Sequence, residues 1–333
     1  MLRRTVILLI VLALILSFTI IGIAQSKGKI GLLWNTQQIQ VCVAQLEAAK
    51  ERVEYHGYTP IVFDANLDMA KQMSGMENMI IQKVDAIVTL PVDAKAGIEM
   101  IKKANKAGIP VVTQDVTADG GEIFNYIATD NYRAGEIAGE YIAWRLKGKG
   151  NIVTLNININ SAGRARMNGL MNVLKHYPDI KVVGDQEAYT VEVGLNVMSN
   201  FLQAHKDLDA VWAVNDPAGL GAIQAIRAAG REDEMFIVAT DGDPAAVAEV
   251  KKGGAYAMTI AQFPVELSYN AVDAAVNAIE GRPPLENVKI LGQPSSAVPL
   301  FFTPVFPVTI DNYKQFGGWN EPAPRAILPP WWK

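Results

Sequence analysis

The side chains with the most chemistry in this chain fall at the ends of short, β-branched apolar runs. Trp34 and Asn35 close the run at 29–34, and Asp64 closes the next. Later runs end at Leu90 and Pro91, Gln114 and Asp115, Asn156 to Asn158, Tyr189, Asn215 and Asp216, Asp241, and Gln262. Asp and Asn at such places often cap helices. Asp216 before Pro217 and Asp243 before Pro244 read as helix starts, and Asp64 before Ala65-Asn66 reads as a turn residue. Capping does not account for the set, because Asp115 precedes no helical pattern and Gln262 is a poor capping type. Carboxylates and amides together offer hydrogen-bond acceptors and donors in fixed directions. They suit the binding of a polar solute.

Catalytic groupings are poor. His56, His176 and His205 fall within or at the ends of helical patterns, away from strand tips. There is no Gly-x-Ser-x-Gly, and no His/Cys/Asp grouping has metal-ligand spacing. GLGAIQ (219–224) lacks the third glycine of a dinucleotide loop and lies inside a helical pattern. The expectation is a protein that is not an enzyme and has no cofactor and no metal site.

The elements that must position these residues alternate regularly. Strand-like runs at 29–34, 59–64, 85–90 and 109–114 are separated by amphipathic patterns at 43–58, near 67–82 and near 94–107. A second series starts at 122–130, with strands at 151–156, 180–187, 209–216, 235–243 and 255–262. Its helices fall at about 132–146, 164–176, 192–204, 218–230, 244–253 and 264–280. Such alternation specifies parallel sheets covered on both faces. Two series in 333 residues predict two doubly wound α/β lobes. In open sheets of this kind ligands bind beyond the carboxyl ends of the strands, where the polar set lies.

The formal net charge is −4. An acidic chain is a poor partner for nucleic acid, whose binding depends on cationic contacts to phosphate. Cys42 is the only cysteine, so no intrachain disulfide can form, and it reads as a small buried apolar side chain. Residues 1–24 combine a basic start, an uncharged apolar run and a small-residue end at Gly22-Ile23-Ala24, which reads as a secretory signal. The apolar run is also long enough to remain as an uncleaved anchor. The expected location is periplasmic or extracytoplasmic. Residues 317–333 are rich in proline and tryptophan and read as a tail packing its aromatics on a lobe surface, with docking of another protein as the alternative.

Several segments, taken in order, carry a resemblance: AGIPVVTQD (107–115), YIATDNYRAGEIAGEYIA (126–143), RARMNG (164–169), GLNVMSNFL (194–202), AVWAVNDPAGLGAIQAI (210–226), FIVATDGDPAAVAEVKKG (236–253) and TIAQFP (259–264). Over about 28–312 the chain resembles the sugar-binding proteins of the ribose/galactose group, the soluble receptors of ABC importers. These share their fold with the ligand-sensing core of lac-repressor-type regulators. The resemblance implies a type I periplasmic binding protein with three crossovers, near 128–130, 261–263 and 302–305. The amino-terminal lobe would comprise 28–128 plus 263–303, and the carboxyl-terminal lobe 129–262 plus 304–316. The lobes would close by a hinge over one small polyhydroxylated ligand, a sugar or polyol. The resemblance further implies a monomer that docks on an ABC permease. A sensory role, presenting the same ligand class to a chemoreceptor or sensor kinase, is the alternative.

Residue by residue, the resemblance assigns Asp115 to sugar hydroxyls and Arg164 to ring or hydroxyl oxygens, with Arg166 ordering the loop. It assigns Asn215, Asp241 and Gln262 to the ligand, and Tyr189 as an aromatic against the sugar face. Trp34, Asn35 and Gln38 in the first loop complete the expected site. The chain also departs from the group's pattern. Asp115 is followed by Val116 where ribose-binding relatives commonly carry arginine. Leu90 stands before Pro91 where they are polar, and the first loop reads QQIQVC where they carry an asparagine and a pair of aromatics. The amino-terminal half of the site is therefore expected to be rebuilt, and a different monosaccharide, a polyol or a sugar derivative fits as well as ribose.

Overall fold

The computed structural model describes residues 26–287 and 298–324. The secretory signal expected over 1–24 and the tail from 325 onward lie outside the described residues. The chain forms two six-stranded sheets. The first contains β1 (Lys29–Trp34), β2 (Thr59–Asp64), β3 (Ala86–Thr89), β4 (Val111–Gln114), β5 (Asn125–Thr129) and β11 (Leu300–Thr303), ordered β11-β5-β4-β3-β1-β2. The second contains β6 (Lys149–Asn156), β7 (Asp179–Glu187), β8 (Ala210–Ala213), β9 (Phe236–Asp241), β10 (Tyr256–Ala261) and β12 (Phe306–Thr309), ordered β12-β10-β9-β8-β6-β7. All pairings are parallel except β10 with β12.

The inner strands of each sheet are buried on both faces, as parallel strands require. Ile30, Leu32 and Trp34 alternate onto the face covered by α1 (Gln40–Tyr55) and α9 (Pro264–Ile279). Leu33, Ile87 and Val111 face α2 (Met69–Ile81) and α3 (Gly97–Lys106). In the second sheet Val153, Val211 and Ile237 meet α6 (Val191–Ala204), α7 (Asp216–Ala228) and α8 (Pro244–Lys251). Ile152, Trp212 and Val238 face α4 (Asn131–Arg145) and α5 (Ser161–Leu174). Among the described residues no helix is long and apolar enough to cross a membrane.

The chain passes between the sheets three times: from β5 into α4, from β10 into α9, and from β11 into β12. The passages are pinned by side chains. Thr129 Oγ1 donates to Gln262 Oε1 at 2.9 Å, joining the first two.

Helices α4 and α5 meet through their backbones. A methyl on Gly135 would lie 1.9 Å from the Arg166 carbonyl oxygen, and one on Gly169 would lie 2.0 Å from that of Tyr132. Both are helical positions, so it is the close approach and not φ that demands glycine. Gly135→Ala is expected to cost on the order of 3 kcal/mol through overpacking, read as a lower denaturation midpoint with an unchanged slope. It should weaken ligand binding too, since the displaced carbonyl belongs to Arg166.

Candidate ligand-binding cleft

The carboxyl ends of both sheets face one another across a cavity of about 110 Å³. Of the residues expected there, Asn35, Asp115, Tyr189, Asn215, Asp241 and Gln262 line it. Asp115 follows β4 in the left-handed region, at φ 62°. Its backbone is held on both sides: its N–H donates to Ile127 O at 2.8 Å, and Tyr126 Oη donates to its carbonyl at 2.9 Å. Its Oδ1 is buried without a partner. Asp241, the last residue of β9, also has positive φ, 141°. Its Oδ1 accepts from Gln262 Nε2 at 2.8 Å and Arg166 Nη1 at 3.3 Å. Strained backbone that fixes two acids at facing strand tips is characteristic of functional sites.

Arg166 is the cation of the cleft, and Arg164 is not. Both project from α5, but two residues along a helix turn the side chain to the opposite side. Arg166, 5% exposed, donates through Nε to Asn131 Oδ1 at 2.8 Å and through Nη1 to Val214 O at 2.7 Å, besides Asp241. Arg164 points away and donates to Asp119 Oδ1 and to Asn158 O, the latter at 3.2 Å. Arg166 shares its face with Ala162, Gly163 and Leu170, spacings that mark the buried side of α5. That period was available in the sequence and places Arg166 inward.

The first loop also differs from expectation. Trp34 is fully buried beneath α1, with its indole N–H donating to Cys42 O at 2.9 Å. It has no face on the cavity, because strand alternation places it with Ile30 and Leu32 in the core. Gln38 is exposed, and its amide donates to Asn66 Oδ1. Gln37 similarly reaches Asp64 Oδ2 at 3.3 Å. The glutamines thus tie the first loop to the loop after β2 on the outside. Ile39, Val41 and Cys42 face the cavity in their place, joined by Leu67, Val92 and Val116.

Asn215 serves two roles. Its Oδ1 caps α7 through Ala218 N at 3.1 Å, and its Nδ2 donates to Tyr189 O at 3.0 Å, fixing the loop that carries the tyrosine. Asp216, read from sequence as the cap, is instead the first helical residue. It is fully buried and accepts from Asp243 N, Tyr256 Oη and Thr259 Oγ1 at 2.7–2.8 Å. These partners come from distant strands, and nothing local in the sequence announces them.

Acids outnumber cations here. Burial pushes the Asp115 carboxyl above its ordinary pKa, opposed by Arg166 and Gln45. Asp241 is raised further by burial, with Asp216, Asp115 and Asp243 adding to the rise and Arg166 opposing it. Asp216 is pushed up to about 7 by burial despite its three donors. Among the described residues no group of His, Cys, Asp or Glu could hold a metal ion.

The lobes touch beside the cavity. Ala94 N donates to Ile159 O at 3.0 Å, Thr117 N donates to Ser161 Oγ at 2.8 Å, and Arg164 pairs with Asp119. This is a cleft between two sheets drawn together, with acid, amide and guanidinium groups converging from both sides.

The chain belongs to the periplasmic binding protein family, whose domain profile matches residues 30–283. It is 34% identical over 274 residues to the ribose import binding protein of Escherichia coli K12, covering 82% of this chain and 92% of that one. It is 30% identical to the D-xylose-binding periplasmic protein of the same organism, over 83% of this chain and 86% of that one. Among solved structures it is similar to an ABC transporter periplasmic solute-binding protein of Actinobacillus succinogenes with bound D-allose. That likeness has a TM-score of 0.75 at 30% identity and covers 87% of this chain and all of the other. The relatives are binding proteins, not enzymes.

Proposed function

We propose that this protein captures a monosaccharide or related polyol between its lobes outside the cytoplasm and delivers it, as a monomer, to the membrane permease of an ABC importer. The observation that carries the reading is the convergence of Asp115, Arg166, Asp241 and Gln262 on one small cavity, each 9% exposed or less. Hydroxyls are donors and acceptors at once, and this set offers both with fixed geometry. Closure of the lobes excludes water, so each matched hydrogen bond counts for more and each unmatched one costs more. The relatives named for ribose import and D-xylose binding, and the neighbour holding D-allose, support the same solute class.

Purified protein freed of copurified solute, heated with a panel of sugars and polyols, should be stabilised by at least one of them. The gain should reach about 2.7 kcal/mol at a hundredfold excess over Kd. A panel without a single hit would remove the sugar reading. Mass spectrometry of the natively purified protein identifies the solute without a guess.

A further inference from the structure

We propose that the ligand has a hydroxylated head and an apolar end, as in a deoxy or alkyl-substituted sugar or polyol. This rests on the cleft being the solute site. Polarity in the cavity is divided between its walls: the segments around the first sheet bring six apolar side chains beside Asn35 and Asp115, and those around the second bring most of the polar groups, Asn160, Arg166, Tyr189, Asn215 and Asp241 among them. Asp115, Arg166, Asp241 and Gln262 are nearly fully buried toward the hinge. Ile39, Leu67 and Val92 are part-exposed and Ile159 is exposed; they form the apolar part of the mouth, which they share with Asn35, Asn160 and Asn215. Tyr189 is the one aromatic among the lining residues.

The main chain of the mouth offers a hydroxyl little. Leu67 N donates to Asn35 O at 2.7 Å, and Val92 N donates to Gln72 Oε1 at 2.9 Å. Ile159 O already accepts from Ala94 N at 3.0 Å. On the walls, Val116 N is turned onto Gln114 O at 2.6 Å, and Val214 O is taken by Arg166. Among the lining residues the buried side-chain acceptors without a partner are Asp115 Oδ1 and Asn35 Oδ1. A sugar hydroxylated at every carbon would place a hydroxyl against the apolar side chains of Ile39, Leu67 and Val92, where burial without a partner is unfavourable. A methyl group there displaces water from apolar surface, which is favourable.

Titration calorimetry on solute-free protein with matched pairs tests this: L-fucose against L-galactose, L-rhamnose against L-mannose, and methyl pentosides against free pentoses. The substituted member should bind about tenfold tighter or more in every pair that binds. Equal or reversed affinities overturn the inference, as does a panel in which only fully hydroxylated solutes bind. In both cases the cleft remains a sugar site, whereas no binding by any polyol removes the underlying function as well. Ile159→Ser changes an exposed side chain and should erase the preference within a pair. An equal loss for both members would show that Ile159 acts on closure and not on selection, and would count against the mouth.

A different observation carries a second inference. Past β12 the chain turns through Tyr313–Gln315 and crosses back over the hinge. Phe316 packs edge-on against Phe263, centroids 6.1 Å apart. The Trp319 indole N–H donates to the carbonyl of Asp241 at 2.9 Å, while its ring packs on the core under α1 and α9. Asn320 lies beside Ala48, Val265 and Tyr269 of the first lobe. We infer that Trp319 is a positioning residue: it straps the second lobe's acid to the first lobe and stabilises the drawn-together arrangement. Trp319→Phe keeps an aromatic ring, though a smaller one, and removes the donor. The expected result is about fivefold weaker ligand binding with the unfolding midpoint of ligand-free protein unchanged. Unchanged affinity, or a fall in stability without one in affinity, overturns the assignment.

Discussion

Arg166→Ala is expected to weaken ligand binding at least about a hundredfold and to destabilise the folded protein by about 3–5 kcal/mol. The guanidinium is the cation facing Asp115 and Asp241 in the cleft, and both carboxyls feel it. It also satisfies Asn131 Oδ1 and the Val214 carbonyl. Its removal leaves two buried acids without the facing charge and the Asn131 and Val214 oxygens without their donor, and stranded partners cost more than the interaction itself contributes. Arg164→Ala is the contrast, since its pair with Asp119 is one-third exposed on both sides. A pair so exposed is worth at most about 1 kcal/mol, and its loss should be felt as slightly easier opening of the lobes. Denaturant unfolding and titration calorimetry on both variants measure the difference. If Arg166→Ala does not fold, Arg166→Lys keeps the charge without the fork and should fold yet bind at least about tenfold more weakly. Wild-type affinity in either Arg166 variant removes the residue from the site.

The two arginines show what the sequence could and could not reveal. The doubly wound lobes were legible because alternation of β-branched runs with amphipathic helices has one good solution. Asp115, Asp241 and Gln262 were legible because strand tips in such sheets converge. Arg166 and Trp34 were also within reach, through a helical period counted from Ala162 and a strand period counted from Ile30. Resemblance to relatives pointed to Arg164 where counting points to Arg166. Gln37 and Gln38 were not legible, because their partners, Asp64 and Asn66, sit on a neighbouring loop. Neither was the burial of Asp216, which follows from Tyr256 and Thr259 arriving on β10. Nor was the strap, since no local pattern links Trp319 to Asp241. Periodic elements write themselves into a sequence, whereas polar contacts between loops depend on the assembled fold.

Acidification from pH 7 to pH 5 is expected to stabilise the ligand-free protein and to weaken its hold on ligand. Asp115, Asp216 and Asp241 all have folded-state pKa values raised by burial above the ordinary carboxyl value of 3.8. The native state therefore keeps protons that the unfolded chain has already lost. Their contribution to stability is fully present below the unfolded pKa and is lost as pH rises through the folded pKa, which for Asp216 is about 7. Carboxylates held low by ion pairs act oppositely. Asp273, lowered by hydrogen bonds to Arg52 and His56 against the cost of burial, and Glu249, lowered by Arg227, lose their contribution only at more acid pH. Asp130, Asp243 and Glu266 are raised by burial in the same sense, so the window from pH 5 to 7 reads the buried acids together, and each tenfold difference in proton affinity between folded and unfolded chain is worth about 1.4 kcal/mol. Ligand reverses the preference. Hydroxyls donating to Asp115 Oδ1 and to Asp241 favour the ionised forms, so binding should expel protons and affinity should fall as pH drops. Calorimetry in buffers of different ionisation enthalpy counts the protons released, and thermal unfolding with and without ligand gives both slopes. Asp115→Asn should stabilise the ligand-free protein near pH 7, flatten the pH dependence, and cost binding about 2 kcal/mol by replacing one acceptor with a donor. Binding without proton release, together with flat stability across the window, would mean that the acids stay ionised throughout and that Arg166 outweighs their burial.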